Sequence, residues 1–248
     1  MTVVADEGVI WHDVECGGYG ADLPLWRELA EARSGLALEV GCGTGRVALD
    51  LASQGHSVTG VDNDPALVDA LRERARARGL EVAAHVADAR SLNLPAEFAL
   101  IAMPMQILQL LGKPENRHAA LAAASGALAS GGVLAVSIVE GVPGGGGEMA
   151  QPLPDVAERD GWIYSSLPLE IVDDGGVMLV TRLRQVVSPA GELTEAVDET
   201  RLAVLDADAL EREARRAGLG PAGRREIPET EAHVGSAIVL LESLRRTA

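Results

Sequence analysis

An α/β fold built on a doubly wound, mostly parallel sheet is predicted by three features of this 248-residue chain. Short apolar runs alternate with helix-period stretches from residue 36 to residue 140, the rhythm of parallel strands joined by helical crossovers. Two strand-to-helix junctions carry distinctive turn chemistry: the glycines of Gly41–Gly45 and the pair Asp64-Pro65. Beyond residue 141 the rhythm gives way to extended segments, which predicts an antiparallel β insertion after the fifth strand before the α/β pattern resumes.

Each element has its own signal. Residues 21–33, ADLPLWRELAEAR, set Leu25, Leu29 and Ala32 on one face with Pro24 near the start, an amphipathic helix entered through a flexible Gly17–Gly20. LALEV from Leu36 is a buried strand, and Val47, Ala48 and Leu51 after the glycines have helical spacing. HSVTGVD is the second strand, with Asp64 as N-cap and Pro65 in the first turn of the helix ALVDALRERARAR. EVAAHVAD and FALIAMP read as strands three and four, a helix spans about Asn116 to Ala129, and GGVLAVSIVE is the fifth strand.

VPGGGGEMAQPLPD, residues 142–155, reads as a mobile linker. WIYSSLPLEIV, VMLVTRLRQVV and LTEAVDETRLAVL follow as extended segments divided by DDGG and SPAG turns, an antiparallel meander. Asp206 then caps the helix ADALEREARRAGL, and RREIPE and VGSAIVLLE are two late strands. One domain spans 1–248, with 1–35 as an N-terminal helical cap and 141–205 as the inserted lid.

Hydrophobic residues at 47% and charged residues at 23% are a globular balance. Aromatics are only 2%, so the core must rest on Ala, Val and Leu, and the few aromatic rings are expected at a site. A net charge of −16 offers no basic stripe for phosphates, which argues against nucleic acid and anionic membranes as partners. A cationic or neutral substrate fits that charge, as does acidity that serves solubility alone. The first residues lack a basic start and a long apolar run, and no stretch reaches the roughly 20 apolar residues that span a bilayer, so a cytoplasmic protein is expected. Cys16 and Cys42 have no metal-ligand spacing and are expected as reduced thiols.

The chemistry-bearing residues lie at the ends of the first four strands. Glu39-Val40-Gly41-Cys42-Gly43-Thr44-Gly45 is a Gly-x-Gly-x-Gly turn between strand and helix, where bare main chain and a helix start can receive a nucleotide-like ligand. Asp62 ends the second strand, at roughly the spacing of about 20 residues at which an acidic residue takes ribose hydroxyls. Asp64 is the better cap for the following helix, which leaves Asp62 for ligand. Asp88 follows the third strand; its acceptor oxygens suit an exocyclic amine, and taken alone it reads as a loop or helix-cap aspartate.

These motifs resemble those of the class I S-adenosylmethionine-dependent methyltransferases of small-molecule type, and the likeness runs through most of the chain. EVGCGTG is similar to their glycine motif, GVDND to their acidic ribose loop and VADA to their adenine loop. The resemblance implies a seven-stranded sheet with an antiparallel last strand and S-adenosylmethionine as cofactor. It implies that Glu39 and the turn Gly41, Cys42, Gly43 and Gly45 hold the methionine end, that Asp62 and Asn63 hold ribose and the adenine edge, and that Asp88 and Ala89 contact adenine. Ala102-Met103-Pro104-Met105-Gln106 stands where donor and acceptor meet, which brings Met103 to the site, and it lacks the Asn/Asp-Pro-Pro-Tyr of enzymes that methylate base or amide nitrogens. The N-terminal helix with Tyr19 and Trp26, and the insertion, look like lid elements, with Tyr19 the first candidate to close over the cofactor.

Several readings stay open. His12 and His233 are possible bases but read more simply as surface residues. Arg182 and Arg184 share a strand face that can meet an anionic acceptor or pair with the acidic LTEAVDE segment. Trp162 and Tyr164 can cover the pocket or pack the meander onto the body. A nicotinamide-dependent oxidoreductase is the alternative enzyme, although Arg46 stands where its fingerprint needs a third glycine. A non-enzymatic S-adenosylmethionine-binding sensor is the alternative without catalysis, and an exposed meander edge leaves a homodimer open.

Overall fold

The computed structural model describes residues 7–141, 153–230 and 233–244, so the expected linker at 142–155 lies mostly outside the described residues. The first elements are two helices, α1 (Glu7–Cys16) and α2 (Leu23–Glu31). Then come β1 (Ala37–Val40), α3 (Arg46–Ser53), β2 (Val58–Asp62), α4 (Pro65–Ala77), β3 (Val82–Val86), β4 (Phe98–Met103), α5 (Ile107–Leu110), α6 (Pro114–Ala127) and β5 (Leu128–Ile138). The insertion supplies β6 (Asp155–Arg159), β7 (Trp162–Asp173), β8 (Val177–Val187) and β9 (Leu193–Ala203); α7 (Ala207–Arg216), β10 (Leu219–Ile227) and β11 (Ser236–Ser243) complete the order.

The main sheet has seven strands in the order β10-β11-β5-β4-β1-β2-β3. β1 pairs in parallel with β2 and with β4, whereas β11 runs antiparallel to β5 and to β10. The chain therefore winds outward from β1 to β3 and restarts on the other side at β4, which makes the β1/β4 boundary the point where strand order reverses and a ligand crevice is expected. All four residues of β1 are buried, as a central parallel strand covered on both faces requires. One covering layer contains Trp26, Val47, Leu51 and Leu71 from α2, α3 and α4; the other contains Leu121 and Leu210 from α6 and α7. The expected caps are in place: Asp64 accepts from the Ala66 N–H at 2.8 Å and Asp206 from the Ala209 N–H at 2.6 Å.

The antiparallel insertion forms a separate four-stranded sheet in the order β6-β7-β8-β9. Its first strand, β6, and the helix α1 are both additions to the sequence reading, and they meet. Ile10, Trp11 and Val14 of α1 pack on Ala157, Tyr164 and Val186 of the insertion, with the Trp11 and Tyr164 rings edge to face at 5.7 Å. Tyr164 thus packs the meander onto the body, while Trp162 is 41% exposed and does neither task proposed for it. Arg184 does pair with Asp198 of the acidic segment at 2.8 Å, but its fork also grips Glu15 of α1 at 2.7 and 2.9 Å; Arg182 pairs with Asp155 at 2.9 Å.

Both stems of the insertion are held at its base. The buried Gln109 of α5 donates to the carbonyls of Val139 and Ala203 at 3.0 and 2.9 Å and accepts from the Val139 N–H at 2.9 Å. Beside it Glu140 accepts from the Ala207 N–H at 2.7 Å. Among the described residues, no helix is long and apolar enough to cross a membrane. Replacing Gln109 with Leu would strand one buried N–H and two carbonyls, so Gln109→Leu is expected to lower unfolding free energy by about 3 kcal/mol, measured by urea denaturation. An unchanged midpoint would show that water or relaxation satisfies the stems instead.

Candidate functional site

The glycine turn after β1 is satisfied from within. The N–H groups of Gly41 and Cys42 both donate to the Val61 carbonyl, at 2.8 and 2.9 Å, and Gly43 N–H donates to the Asp62 carboxylate at 2.9 Å. Gly45 N–H returns to the Cys42 carbonyl at 2.8 Å. The start of α3 is capped from the strand before it, where a Glu39 oxygen accepts from Ala48 N–H at 2.7 Å. The N–H groups of Gly41, Cys42, Gly43 and Gly45 are thus spent on β2, on Asp62 and within the turn, so at these positions the turn offers bare backbone. Asp62 is likewise not free, since its second oxygen accepts from Asp64 N–H at 3.0 Å; a carboxylate retains further lone pairs for a ligand.

A cavity of about 360 Å³ lies on this turn, at the carboxyl ends of β1 to β4. Glu39, Gly41, Cys42, Asp62, Asn63, Asp88 and Ala89 line it as the motifs suggested, together with Arg46, Leu67, Pro104, Met105, Ile107, Leu110 and Leu111. The volume and its few polar groups among apolar walls are what a small-molecule site requires. Asp62 sits at one side of the turn; Glu39, Arg46 and the α1 residues His12 and Cys16 complete the wall.

Other expected site residues lie elsewhere. Trp26 is a core residue: its side chain is fully buried and its indole N–H donates to Asp22 at 2.8 Å, because the ring of an amphipathic helix faces the sheet. Met103 is also fully buried as the last residue of β4, and the chain turns into the cavity only at Pro104 and Met105. Tyr19 is outside the cavity, with its ring edge on His233 at 4.8 Å and the Arg46 guanidinium 5.1 Å from its centroid. Gly43 and Gly45 serve packing, since a Cβ on Gly43 would drive into the His12 ring and one on Gly45 into Leu71. His12 is thus no surface residue but lies over the turn; Glu231, beside His233, is outside the described residues.

Sequence reasoning read His12 as a surface residue because α1 was not recognised. Ile10 with Val14, and Trp11 with Val14, carry the i+4 and i+3 spacings that could have disclosed the helix. Arg46, the residue in place of a third glycine, ties α2 to α3: it reaches Asp22 at 2.8 Å and the Tyr19 carbonyl at 3.0 Å.

Burial and charge set the protonation states. Burial pushes the Glu39 carboxyl up to about 8 against the opposing pull of Arg46. Burial also lowers the His12 imidazole, more than the nearby Asp13 and Asp62 raise it, which keeps it neutral at pH 7. The Arg90 guanidinium clamps Asp88 at 2.6 to 3.0 Å and holds its carboxyl below the usual range, so a ligand must share those oxygens. Burial pushes the Cys16 thiol up to about 11 and raises Cys42 as well; both cysteines are free thiols and neither is a nucleophile at neutral pH. Among the described residues no His, Cys, Asp and Glu side chains cluster to hold a metal ion.

Residues 37–132 match a family model described as a methyltransferase domain. Solved structures similar to this chain include the CcbJ methyltransferase of Streptomyces caelestis, at 22% identity and a TM-score of 0.69 with 92% of each chain covered. The sugar N-methyltransferase KedS8 of a Streptoalloteichus species matches at 18% identity and a TM-score of 0.73, over 95% of this chain and 92% of that one. The amino pentose methyltransferase CalS10 of Micromonospora echinaspora, solved with S-adenosylmethionine bound, matches at 21% identity and 0.69, over 93% and 96%. Residues 37–132 thus match a methyltransferase domain, and the chain has the fold that these solved structures share.

The crowding at Gly43 is testable. Gly43 and Gly55 both have positive φ, 51° and 89°, but only at Gly43 would a Cβ meet another group. Gly43→Ala is expected to destabilise the protein by about 1–3 kcal/mol more than Gly55→Ala, the cost of overpacking added to that of the backbone, in parallel urea titrations. Equal losses would mean that His12 moves aside freely.

Proposed function

We propose that this chain transfers a methyl group from S-adenosylmethionine to an oxygen or nitrogen of a small molecule, by in-line displacement at the sulfonium carbon. The observation that carries this reading is the cavity on the glycine turn, lined by Asp62, Asp88 and Glu39 together with His12 and Arg46. That set of polar groups suits a ligand with a nucleoside at one end and an amino acid at the other. In this reading Asp62 and Asn63 take ribose and the adenine edge, Asp88 and Ala89 the adenine, and Glu39 with Gly41 and Cys42 the methionine end. Two of the similar structures are described as a sugar N-methyltransferase and an amino pentose methyltransferase, which favours a polar amine as acceptor, as does the net charge of −16.

S-adenosylmethionine supplies a methyl group already activated by its positive sulfur. The chain's own task is then placement and exclusion of water, which Leu67, Met105, Ile107, Leu110 and Leu111 serve as the apolar wall. No base is required unless the acceptor must lose a proton. The regions 1–35 and 141–205 act in this reading as cap and lid of a single 1–248 unit, the second through its grip on α1. A cytoplasmic enzyme without nucleic-acid partners is consistent with the acidic surface. Self-pairing of the exposed β9 edge would set Glu195 against Glu199 about Val197, so a homodimer would use another face.

Calorimetric titration tests the reading directly. Micromolar binding of S-adenosylmethionine and S-adenosylhomocysteine, about −8 kcal/mol, is expected with none for NADH; the reverse pattern would make the chain a nicotinamide enzyme. Asp62→Ala should weaken S-adenosylmethionine by about 1–3 kcal/mol, and unchanged affinity in a folded variant would remove the ribose assignment. A Glu39 carboxyl near 8 is protonated at pH 7, and a cationic ligand arriving beside it lowers that value. Binding at pH 7 should therefore release protons, seen as a dependence of the observed heat on buffer ionisation enthalpy. Heats that are equal in all buffers would place the ligand's cation away from Glu39.

A further inference from the structure

His12 stands where two cavities meet. It lines the 360 Å³ cavity on the glycine turn and also a second cleft of about 550 Å³, between α1 and strands β8 and β9, with Cys16 shared by both. Its ring is held by a directed chain of hydrogen bonds. Thr44 Oγ1 donates its hydrogen to an Asp13 carboxylate oxygen at 2.8 Å, which as a carboxylate can only accept. The contact of the same Thr44 oxygen with His12 Nδ1, at 3.4 Å, must then run the other way, with Nδ1–H as donor. The neutral imidazole therefore carries its proton on Nδ1 and leaves Nε2 as a lone-pair acceptor, lying against Gly43.

What can this nitrogen receive? On the reading that S-adenosylmethionine is the donor, Asp62 takes the nucleoside, which leaves the rest of the cavity wall for the amino-acid end. That wall holds one cation, Arg46, for the carboxylate, and Glu39 and His12 as acceptors for the ammonium. We propose that His12 Nε2 accepts a hydrogen bond from the α-ammonium of the bound donor, with Thr44 and Asp13 as positioning residues that fix its tautomer. Burial, aided by the facing cations Arg74 and Arg46, keeps the imidazole neutral against the facing carboxylates Asp13 and Asp62, as an acceptor of a cation must be. The same Asp13 accepts from Arg74 of α4 and Arg159 of β6, so the recognising ring is aligned by both layers of the protein.

The test compares S-adenosylhomocysteine with its analogue lacking only the α-amino group, by calorimetry at neutral pH. His12→Ala should weaken S-adenosylhomocysteine about tenfold and change the analogue by less than about twofold. His12→Gln, whose amide oxygen can take the same hydrogen, should recover part of the loss. Ring nitrogen NMR on the wild-type protein should find the proton on Nδ1, and Thr44→Val should redistribute it to Nε2. Equal weakening of both ligands, or a wild-type proton on Nε2, would overturn the assignment; the NMR arm holds even if a variant fails to fold. Failure of wild-type protein to bind S-adenosylhomocysteine at all would instead remove the donor reading, and this inference with it.

Discussion

The carboxylate of Asp13 on α1 joins three parts of the protein at one point. It takes hydrogen bonds from Arg74 on a core helix, Thr44 in the glycine turn and Arg159 on the first strand of the insertion. Burial alone would raise its pKa, yet the donors from Arg74 and Thr44 outweigh that and keep it ionised. Neither arginine is deeply buried, with side chains 31% and 36% exposed, so neither ion pair by itself would count for much. Convergence on one largely shielded carboxylate gives the arrangement its strength, because removing the common acceptor would leave two cations and a hydroxyl without it. The position of α1, and through it the walls of both cavities, rests on this group together with the Glu15–Arg184 pair and the packing of Ile10, Trp11 and Val14.

Around that anchor the glycine turn is preformed. Its amides are spoken for by Val61, Asp62 and Cys42, and Glu39 closes the first turn of α3, so the backbone has little left to rearrange when a ligand arrives. Recognition consequently rests on side chains projecting from elsewhere, and a rigid floor reduces the ordering cost of binding. The glycines are required less by the ligand than by what the turn must admit: the imidazole of His12 above Gly43 and leucine side chains behind Gly45.

The parallel sheet was legible because its signals are local. Asp64-Pro65 and Asp206 announce helices by capping chemistry that the structure contains, and buried strands such as LALEV read as continuous apolar runs. The glycine turn and its acidic companions located the cavity for the same reason, since strand ends and tight turns are set within a few residues. What could not be read was tertiary. DVAER has no pattern that marks β6, and only its partner strand makes it one. The scarcity of aromatics suggested that Trp26 and Tyr19 serve a site, whereas Trp26 satisfies its indole on Asp22, four residues back, and sinks into the core. Asp62 and Asp88 line the cavity, but their partners were not legible, because their backbone and arginine donors lie within two residues or across the turn, where sequence gives no direction to a side chain.

The clamp at the foot of the insertion has a consequence of another kind. Gln109 fastens the chain where it leaves the main sheet and where it comes back, and Glu140 reaches across to the residue that starts α7. A segment whose two ends are already pinned together pays its closure entropy at the base, and that cost rises only with the logarithm of the length between. Lengthening or shortening the loops within the 141–205 segment therefore adds little closure cost to the seven-stranded body, whereas its contacts to α1 through Arg159 and Arg184 must be kept.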